Sequence, residues 1–285
     1  MRNSTVTTLA KAMAILEVFG PTATEMTATQ ISRKLDMSKA TAHRLLATLT
    51  DGRFLERDTE TGKYRIGPEM YVLGSLYLET NDLLSAAGPV VKAVNNLCRE
   101  TVSLGIYQNG YRVLVLREEN LHGFRWQRHV GSSQPAYASA IGLAILSELP
   151  DEEIDRVYPD DSLSPLTSMT VRTKTELRQQ LSEIRKAGMS TGQGGSEGIE
   201  GIGVAIRSRN GEVAAGISIA VPVFRLDDSY RSRLVDLATR AADLISYRLG
   251  YVSGNASIRD VEELSEWWTG TLVTASADTT EARES

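Results

Sequence analysis

Residues 31–67, ISRKLDMSKATAHRLLATLTDGRFLERDTETGKYRIG, contain two short helical patterns followed by a basic hairpin. The first pattern begins just before this stretch, at Thr27, which has the spacing of a capping box with Gln30. It ends at the polar turn Asp36-Met37, after which Ser38 can cap a second helix, SKATAHRLLATL. Two short helices joined by a turn of three or four residues predict a helix-turn-helix.

The helix that begins at Ser38 has an apolar face and a basic face. Its apolar residues follow the spacing of one side of an amphipathic helix: Ala42, Leu45, Leu46 and Leu49. On the opposite side, Ala40 is small enough to let the helix approach another surface closely. His43 and Arg44 can donate to base edges, and Lys39 can contact a phosphate. This helix alone is equally compatible with an ordinary solvated surface helix, so the choice depends on the next segment of the chain.

A basic hairpin comes directly after this helix. Residues 54–57 and 63–66 have the pattern of two short strands around a polar turn that ends in Gly62. In a winged helix, the second helix of the helix-turn-helix enters the major groove and the hairpin contacts the DNA backbone. The order and spacing of these elements therefore predict DNA binding. The candidate contact residues are Ser38, Lys39, Ala40, Thr41, His43, Arg44, Arg53, Arg57, Lys63 and Arg65.

Two further helices flank the helix-turn-helix. The one before it ends at Gly20-Pro21 and has one apolar face, formed by Leu9, Ala12, Met13, Leu16 and Phe19. The one after it, PEMYVLGSLYLET, begins with Pro68 in the favoured first turn, and apolar residues nearly encircle it. Such a helix suits a linker buried between two domains or two subunits. We therefore predict a winged helix-turn-helix domain at residues 1–67 and a linker helix at residues 68–82.

From about residue 83 the pattern changes to mixed helices and strands. Asn109-Gly110 and Asn210-Gly211 each separate two strand-like runs, which is the strongest short signal for a β-hairpin. Helical patterns cover residues 89–100, 138–149, 173–188 and 227–249. Antiparallel hairpins bracketed by helices indicate an α+β domain rather than a doubly wound parallel sheet.

The composition narrows the class of protein. The 285 residues are 41% hydrophobic and 24% charged, as in an ordinary globular protein. With no apolar run of transmembrane length and no signal-peptide pattern, we expect a cytoplasmic protein without a membrane partner. The only cysteine, Cys98, excludes an internal disulfide and lies on the apolar face of a predicted helix. Residues 1–67 carry 10 Lys and Arg against 7 Asp and Glu, whereas the rest of the chain carries 21 against 29. The positive excess of residues 1–67 indicates a polyanion partner for this segment alone.

Signatures of catalysis and cofactor binding are weak. The stretch TGQGGSEGIEGIG at residues 191–203 fails both the G-x-G-x-x-G and the P-loop templates, and Glu197 and Glu200 would repel a phosphate. None of the three histidines has a metal-ligand spacing with Cys or carboxylates: His43, His122 and His129. We therefore expect no catalytic residues, no metal and no cofactor. Two alternatives remain open, an enzyme with a winged-helix recruitment or dimerisation module and a winged helix used for protein contacts.

Together these segments resemble the isocitrate lyase regulator (IclR) family of bacterial transcription factors over residues 8–250. ISRKLDMSKATAHRLLATLTDGRFLER resembles the family's DNA-binding segment, and KYRIGPEMYVLG resembles its wing-to-linker junction. VGSSQPAYASAIGLAILSEL is similar to its Pro-x-His-x-x-x-x-Gly-Lys-Ala segment, and GIEGIGVAI and GISIAVP resemble two strands of its sensor domain. The resemblance implies a GAF-like effector-binding domain at residues 83–253, a homodimer or tetramer, a palindromic double-stranded DNA operator and a small-molecule effector. We expect a repressor of a catabolic operon.

The resemblance also implies which residues contact the effector: Tyr137, Ala140, Ile141, Gln193, Gly194, Gly201, Ser218 and Ala220. The chain departs from the family at Tyr137, where His is usual, at Leu143, where Lys is usual, and at Gln193-Gly194, where an acidic pair is usual. Gly201 stands where many members have Cys, and Ala220 stands where some members have Ser. These departures predict a less charged pocket with an aromatic wall, and hence an aromatic or otherwise bulky carboxylate as effector.

Two segments complete the chain. Residues 191–203 are expected to form a mobile loop and the entrance to a strand over the pocket. Their glycines either let the loop close over the ligand or make room for a bulky one. In the tail at residues 254–285, residues 258–268 have the pattern of one more amphipathic helix, with Trp267 and Trp268 as a packing anchor.

Overall fold

The computed structural model describes residues 6–20, 23–119, 128–252 and 258–270. The chain divides into two compact units, Met1–Asn81 and Asp82–Ser285. Within the described residues of the second unit, the strands form one six-stranded sheet.

The first unit is a winged helix-turn-helix. Its elements are α1 (Thr7–Glu17), α2 (Ala28–Lys34), α3 (Lys39–Asp51), β1 (Leu55–Arg57), β2 (Tyr64–Ile66) and α4 (Pro68–Thr80). The predicted capping box is present, with Thr27 accepting from Gln30 N and Gln30 accepting from Thr27 N. Ser38 caps α3 by accepting from Thr41 N. The two strands pair in antiparallel register, and a bridge between Met26 and Tyr64 joins this wing to the segment before α2.

The predicted apolar face of α1 is only partly buried. Leu9 and Met13 are each 54% exposed, whereas Ile15 and Val18 are buried in a core shared with Ile31 and other residues of α2, α3 and β1. Apolar residues lie on more than one side of this helix, so periodicity alone does not select the buried side. The contact of α1 with α3 selects it.

The second unit is an α+β domain, as predicted. Its elements are α5 (Asp82–Cys98), β3 (Thr101–Gln108), β4 (Tyr111–Glu118), β5 (Ser133–Pro135), α6 (Ala140–Glu148), α7 (Asp151–Val157), α8 (Lys174–Ala187), β6 (Ser190–Gly192), β7 (Ile199–Arg207), β8 (Val213–Pro222), α9 (Asp228–Arg248) and α10 (261–270). The sheet order is β5-β4-β3-β8-β7-β6, and all neighbouring strands are antiparallel. Both predicted hairpins are confirmed.

Helix α5 starts seven residues before the predicted start at Pro89. A proline inside a helix removes one backbone hydrogen bond, which is why the pattern suggested a start there. Leu84 and Ala87 are buried in the main core of the unit. Their burial stabilises the turns before Pro89 and outweighs the missing bond.

The sheet has a bulky face and a small face. Alternate residues of β3, β7 and β8 that point to the core with α5 and α9 are large, including Leu104, Ile202 and Ile219. Their neighbours on the other face are small, and α6 packs there. A Cβ on Gly203 would lie under 3 Å from the Ala140 carbonyl oxygen, so glycine permits this close approach. The small face is where a cavity can form next to α6.

Helix α10 confirms the predicted amphipathic helix in the tail. Ile258, Leu264 and Trp268 are buried in the core shared with α5 and α9. The Arg233 guanidinium lies 4.3 Å from the Trp268 ring centroid, and the Arg240 guanidinium lies 4.4 Å from the Trp267 ring centroid. The tryptophans therefore anchor this helix on α9 of its own chain.

Among the described residues, no helix combines the length and the apolar character needed to cross a membrane.

Candidate nucleic-acid interface and ligand pocket

Helix α3 presents the predicted basic face to solvent. Lys39, Ala40, His43 and Arg44 are exposed, while Ala42, Leu45 and Leu46 on the other side are buried. Within the described part of the chain, no carboxylate forms an ion pair with Lys39, His43 or Arg44. These side chains are therefore available to an external polyanion.

The first residues of α3 already bond to each other. The Ser38 hydroxyl lies 2.9 Å from the Thr41 hydroxyl, and it also accepts from Thr41 N at 3.2 Å. These bonds fix the N-terminus of α3, which is the end that points to bases in helix-turn-helix complexes. The two hydroxyls thus position the helix before any contact with DNA.

The basic residues of the wing are mostly paired with acidic residues of the same unit. Three of the four predicted contacts form ion pairs: Arg53 with Glu69 at 3.0 Å, Lys63 with Glu25 at 3.7 Å and Arg65 with Glu56 at 2.8 Å. The fourth, Arg57, lies with its guanidinium 5.8 Å from the centroid of the Tyr64 ring. A phosphate would have to compete with these carboxylates at three of the four positions.

The tip of the wing is held by Asp58. Its carboxylate accepts from Glu60 N at 2.8 Å and from Thr61 N at 2.7 Å. These two backbone bonds lower the pKa of Asp58 below its usual value. Gly62 has a φ of +67°, which a residue with a side chain adopts rarely. The turn therefore has one defined shape.

A pocket lies on the small face of the sheet in the second unit. Its floor consists of small residues from neighbouring strands: Ser103, Gly201, Ser218 and Ala220. The start of α6 forms one wall, with Ser139, Ala140 and Ile141. The glycine-rich segment before β7 contributes Gly192 and Gly195. The remaining side carries three arginines and an amide: Arg112, Arg117, Arg128 and Gln134.

Five of the eight predicted effector contacts line this pocket: Ala140, Ile141, Gly201, Ser218 and Ala220. The other three, Tyr137, Gln193 and Gly194, line a neighbouring cavity together with Met169 and Val171. Ser139, Ala140 and Gly192 border both cavities.

The expected aromatic residue, Tyr137, lines the neighbouring cavity and not this pocket. The Tyr137 hydroxyl donates to the Ser164 carbonyl at 2.9 Å, and its ring packs edge-on against Tyr158 with centroids 5.2 Å apart. Tyr137 is buried in a second core with Leu143 and residues of α7 and α8. Tyr137 belongs to a short 3-10 turn ahead of α6.

The pocket nevertheless carries positive charge, because three arginines outside the predicted set of contacts line it. Arg112 is only 3% exposed, and its Nη1 donates to the Ser132 carbonyl at 3.4 Å. Arg117 pairs with Glu119 at 2.7 Å. Burial lowers the pKa of Arg112 to about 9, and the nearby charges of Arg128 and Arg117 act in the same direction. Burial, followed by the charge of Arg117, lowers the pKa of Arg128 to about 10.

One sequence signal could have indicated Arg112. In the strand YRVLVLRE, Arg112 and Leu114 are two residues apart and therefore share a face of the sheet. Leu114 is buried against α6 together with Ile141. An arginine on the buried face of a strand needs an explanation, since desolvating its charge is costly.

The glycine-rich segment has two structural roles. Gly201 and Gly203 lie under α6, where a Cβ on Gly201 would be 2.9 Å from the Ala140 Cβ. The preceding turn is tied to its surroundings, because Thr167 and Thr170 donate to the carbonyls of Gln193 and Gly194 at 3.1 and 2.7 Å. Residues 191–203 thus combine a helix–sheet contact with a hydrogen-bonded border of the pocket.

Arg128 also borders the pocket at this segment. Its guanidinium donates to the Gly195 carbonyl and lies 3.4 Å from the Ser196 hydroxyl. Arg128 therefore links the residues before β5 to the turn before β7, across the side of the pocket that carries the arginines.

The remaining candidates for chemistry are inert or unassigned. Burial raises the pKa of the Cys98 thiol to about 12, so it stays protonated at neutral pH. His129 is exposed, and His122 lies outside the described residues. In the described part of the chain, no three His, Cys, Asp or Glu side chains are grouped so that they could hold a metal ion.

Two family models match the chain. One, described as the IclR helix-turn-helix domain, matches residues 8–59. The other, described as the C-terminal part of the bacterial transcriptional regulator IclR, matches residues 75–247 and so covers more than half of the chain.

Known regulators and solved structures are similar over nearly the same span. The HTH-type transcriptional repressor AllR of Klebsiella pneumoniae is 31% identical over 243 residues, which cover 85% of this chain and 89% of AllR. The HTH-type transcriptional regulator KdgR of Dickeya chrysanthemi is 28% identical over 247 residues, which cover 86% of this chain and 81% of KdgR. An IclR homolog from Microbacterium hydrocarbonoxydans, solved in complex with 4-hydroxybenzoate, aligns with a TM-score of 0.73 at 28% identity and covers 85% of this chain and 98% of that chain.

Proposed function

The chain belongs to the IclR family of bacterial transcriptional regulators, and we propose that it is a repressor of a catabolic operon whose operator affinity changes when a small molecule binds its sensor domain. As a member of this family it is a DNA-binding transcriptional regulator and not an enzyme. The repressor role, the operator and the response to a ligand are the parts that we propose.

The exposed basic face of α3 is the observation that carries the DNA-binding part of the proposal. Because α3 is the second helix of the helix-turn-helix, its N-terminal half enters the major groove. Arg44 and His43 read base edges, Lys39 contacts a phosphate, and Ala40 lets the helix approach the groove floor. The wing residues Arg53, Arg57, Lys63 and Arg65 contact backbone phosphates.

Exposed apolar side chains outside this face support a homodimer, alone or paired into a tetramer. Leu9 and Met13 of α1 and Tyr71 and Leu73 of α4 are all about half exposed or more in the single chain. Exposed apolar patches of this kind mark protein interfaces. A two-fold dimer presents two α3 helices, which matches a palindromic operator. In this proposal residues 1–67 bind DNA, residues 68–82 link the domains and residues 83–253 bind the effector.

The pocket on the small face of the sheet supports a small acidic effector. Its lining combines three arginines with hydroxyls and small residues. A homolog of similar fold binds 4-hydroxybenzoate, a small carboxylate. A ligand that prefers one arrangement of the dimer changes operator affinity by its own difference in affinity for the two arrangements.

Selection from a random double-stranded DNA library by the full-length protein tests the proposal. We expect an inverted repeat, bound with an affinity that falls steeply as salt rises, because each phosphate contact releases counterions. Arg44→Ala should weaken the enrichment of this repeat and relax its base preference, whereas the matched surface change Lys186→Ala on α8 should leave both unchanged. Enrichment of no sequence, or binding that ignores salt, would assign the winged helix to protein contacts instead.

A further inference from the structure

We propose that the sensor pocket recognises a small dicarboxylate, with Arg112 as the residue that distinguishes two acidic groups from one. This inference rests on the proposed function, since it names the class of effector that would occupy the same pocket. It follows from the charge of the pocket lining, from the burial of Arg112 and from the polar atoms around it.

The lining of the pocket has a strong excess of positive charge. Arg112, Arg117 and Arg128 contribute guanidinium groups, and none of the described lining residues is an aspartate or glutamate. Glu119 lies outside the lining and pairs with Arg117. The charge of Arg117 is thus balanced inside the protein, and the described lining offers no carboxylate to Arg112. A ligand with two negative charges would offset the remaining excess.

Arg112 is the most constrained of the three. Its aliphatic stem packs over Gly105 of β3 and beside Ile141 of α6, where a Cβ on Gly105 would meet the Arg112 Cδ at 2.9 Å. The side chain is almost completely removed from solvent. Among the described residues, its Nε has no hydrogen-bond partner. A buried cation with an unused donor is costly unless an anion binds it.

Arg128 and Arg112 both line the pocket. The charge of Arg128 is the second cause, after burial, that lowers the pKa of Arg112. Two like charges in a desolvated site repel each other, and a monoanion can balance only one of them. A second carboxylate on the same ligand balances the other and gains a charge-assisted hydrogen bond. Two guanidinium groups in one pocket lining therefore favour two acidic groups over one.

The polar atoms between these groups suit a ligand with a polar middle. Ser103 and Ser218 stand side by side in the register of β3 and β8 on the pocket floor. The Gln134 Oε1 is buried without a described partner, while its Nε2 donates to the Ala138 carbonyl at 3.1 Å. An acceptor at Gln134 and two hydroxyls on the floor match a hydroxyl group on the ligand. The best fit is a short dicarboxylate that carries a hydroxyl.

Calorimetry and thermal shift on the full-length protein test this with matched probes. Butyrate and succinate form an aliphatic pair, and benzoate and isophthalate form an aromatic pair, each compared at constant ionic strength and neutral pH. We expect the dicarboxylate of at least one pair to bind with a Kd about tenfold lower than its monocarboxylate, as for one additional buried charge-assisted hydrogen bond. Malate should bind at least as well as succinate.

Arg112→Gln tests the residue itself. Glutamine keeps a hydrogen-bond donor and a polar side chain but removes the charge. The ratio of the monocarboxylate Kd to the dicarboxylate Kd should therefore fall to less than about threefold. This change also removes a buried charge, and the domain should remain folded. Thermal unfolding checks this. Arg128→Gln, at a half-buried position, should also weaken binding of the dicarboxylate. The matched control Arg178→Gln on α8, outside the pocket, should leave the preference unchanged.

Three results would overturn the proposal. The first is equal affinity for both members of each pair, and the second is a preference for the dicarboxylate that survives in Arg112→Gln. The third is tight binding of phenyl phosphate with no binding of any dicarboxylate, which would indicate recognition of one doubly charged group. Failure of the wild-type protein to bind a selected operator would instead refute the proposed function. A protein that binds its operator but shows no dicarboxylate preference would refute this inference alone.

Discussion

Single residues of the same type have different roles in this chain because their partners differ. Arg44 on α3 is exposed with no described carboxylate beside it, Arg65 on the wing pairs with Glu56, and Arg112 is buried against a glycine of the sheet. An exposed ion pair contributes little to stability, about 0.2–1 kcal/mol. A cation without an internal partner has more to gain from an external anion.

The first prediction compares two arginines of the DNA-binding unit. Arg44→Ala should weaken operator binding by about 1–3 kcal/mol and relax the preference for bases under α3. Arg65→Ala should cost less than about 1 kcal/mol and leave the preference unchanged, because a phosphate at this position competes with Glu56. Gel-shift titrations with the selected operator and single-base variants measure both effects. A larger loss in Arg65→Ala than in Arg44→Ala would contradict the assignment of α3.

The second prediction concerns two glycines of the segment at residues 191–203. Gly203→Ala should lower the free energy of unfolding of the sensor domain by about 1–3 kcal/mol, because its Cβ would overlap the Ala140 carbonyl. Gly194→Ala is the control, since its Cβ would meet only ordinary contacts at 3.8 Å. Urea unfolding followed by circular dichroism gives both values. If both variants were equally stable, α6 would not depend on the close contact with β7.

At the scale of elements, local signals predicted most helices and hairpins correctly. The caps at Thr27 and Ser38 and the turn at Asn109-Gly110 act over a few residues, so they can be recognised in sequence. The start of α5 was predicted wrongly and the buried side of α1 was not predicted, because each depends on contacts with a distant element. Helix α10 lies beyond the residues that the family model matches, and its own periodicity predicted it.

The third prediction tests whether α10 is part of the sensor domain. Trp268 is buried against α9, so Trp268→Ala should lower the free energy of unfolding by about 3–5 kcal/mol. Trp267→Ala on the same helix should cost about 1 kcal/mol, because this ring is only partly buried and mainly stacks on Arg240. Differential scanning calorimetry of both variants checks the order. Unchanged melting of Trp268→Ala would show that α10 does not stabilise the domain.

At the scale of the whole molecule, each of the two units contains its own core and presents one candidate surface. The first exposes the basic face of α3, and the second encloses the pocket between α6 and the sheet. The apolar side chains of α4 are exposed in the single chain, and Tyr71 is 80% exposed. This exposure motivates the homodimer in the proposed function.

The fourth prediction concerns this dimer. Tyr71→Glu should raise the dimer dissociation constant by about tenfold or more, since a charge in an apolar contact must be desolvated. Binding to a full palindrome should then weaken far more than binding to a half-site. Sedimentation velocity and gel shifts measure the two effects, with Lys186→Glu as the control for an added negative charge. An unchanged dimer would place the interface away from α4.

The sequence by itself determined the winged helix, the α+β character of the second unit, the tail helix and the family. These depend on caps, turns and periodicity, which act among neighbours within a few residues, and on motifs whose order is preserved. Only the tertiary structure decided which side chains meet in the pocket. Tyr137 packs in a different core, and Arg112, Arg117 and Arg128 line the pocket from β4 and the segment before β5. The reason is that a pocket collects residues from strands far apart in sequence, and the small face of the sheet leaves room there for long charged side chains.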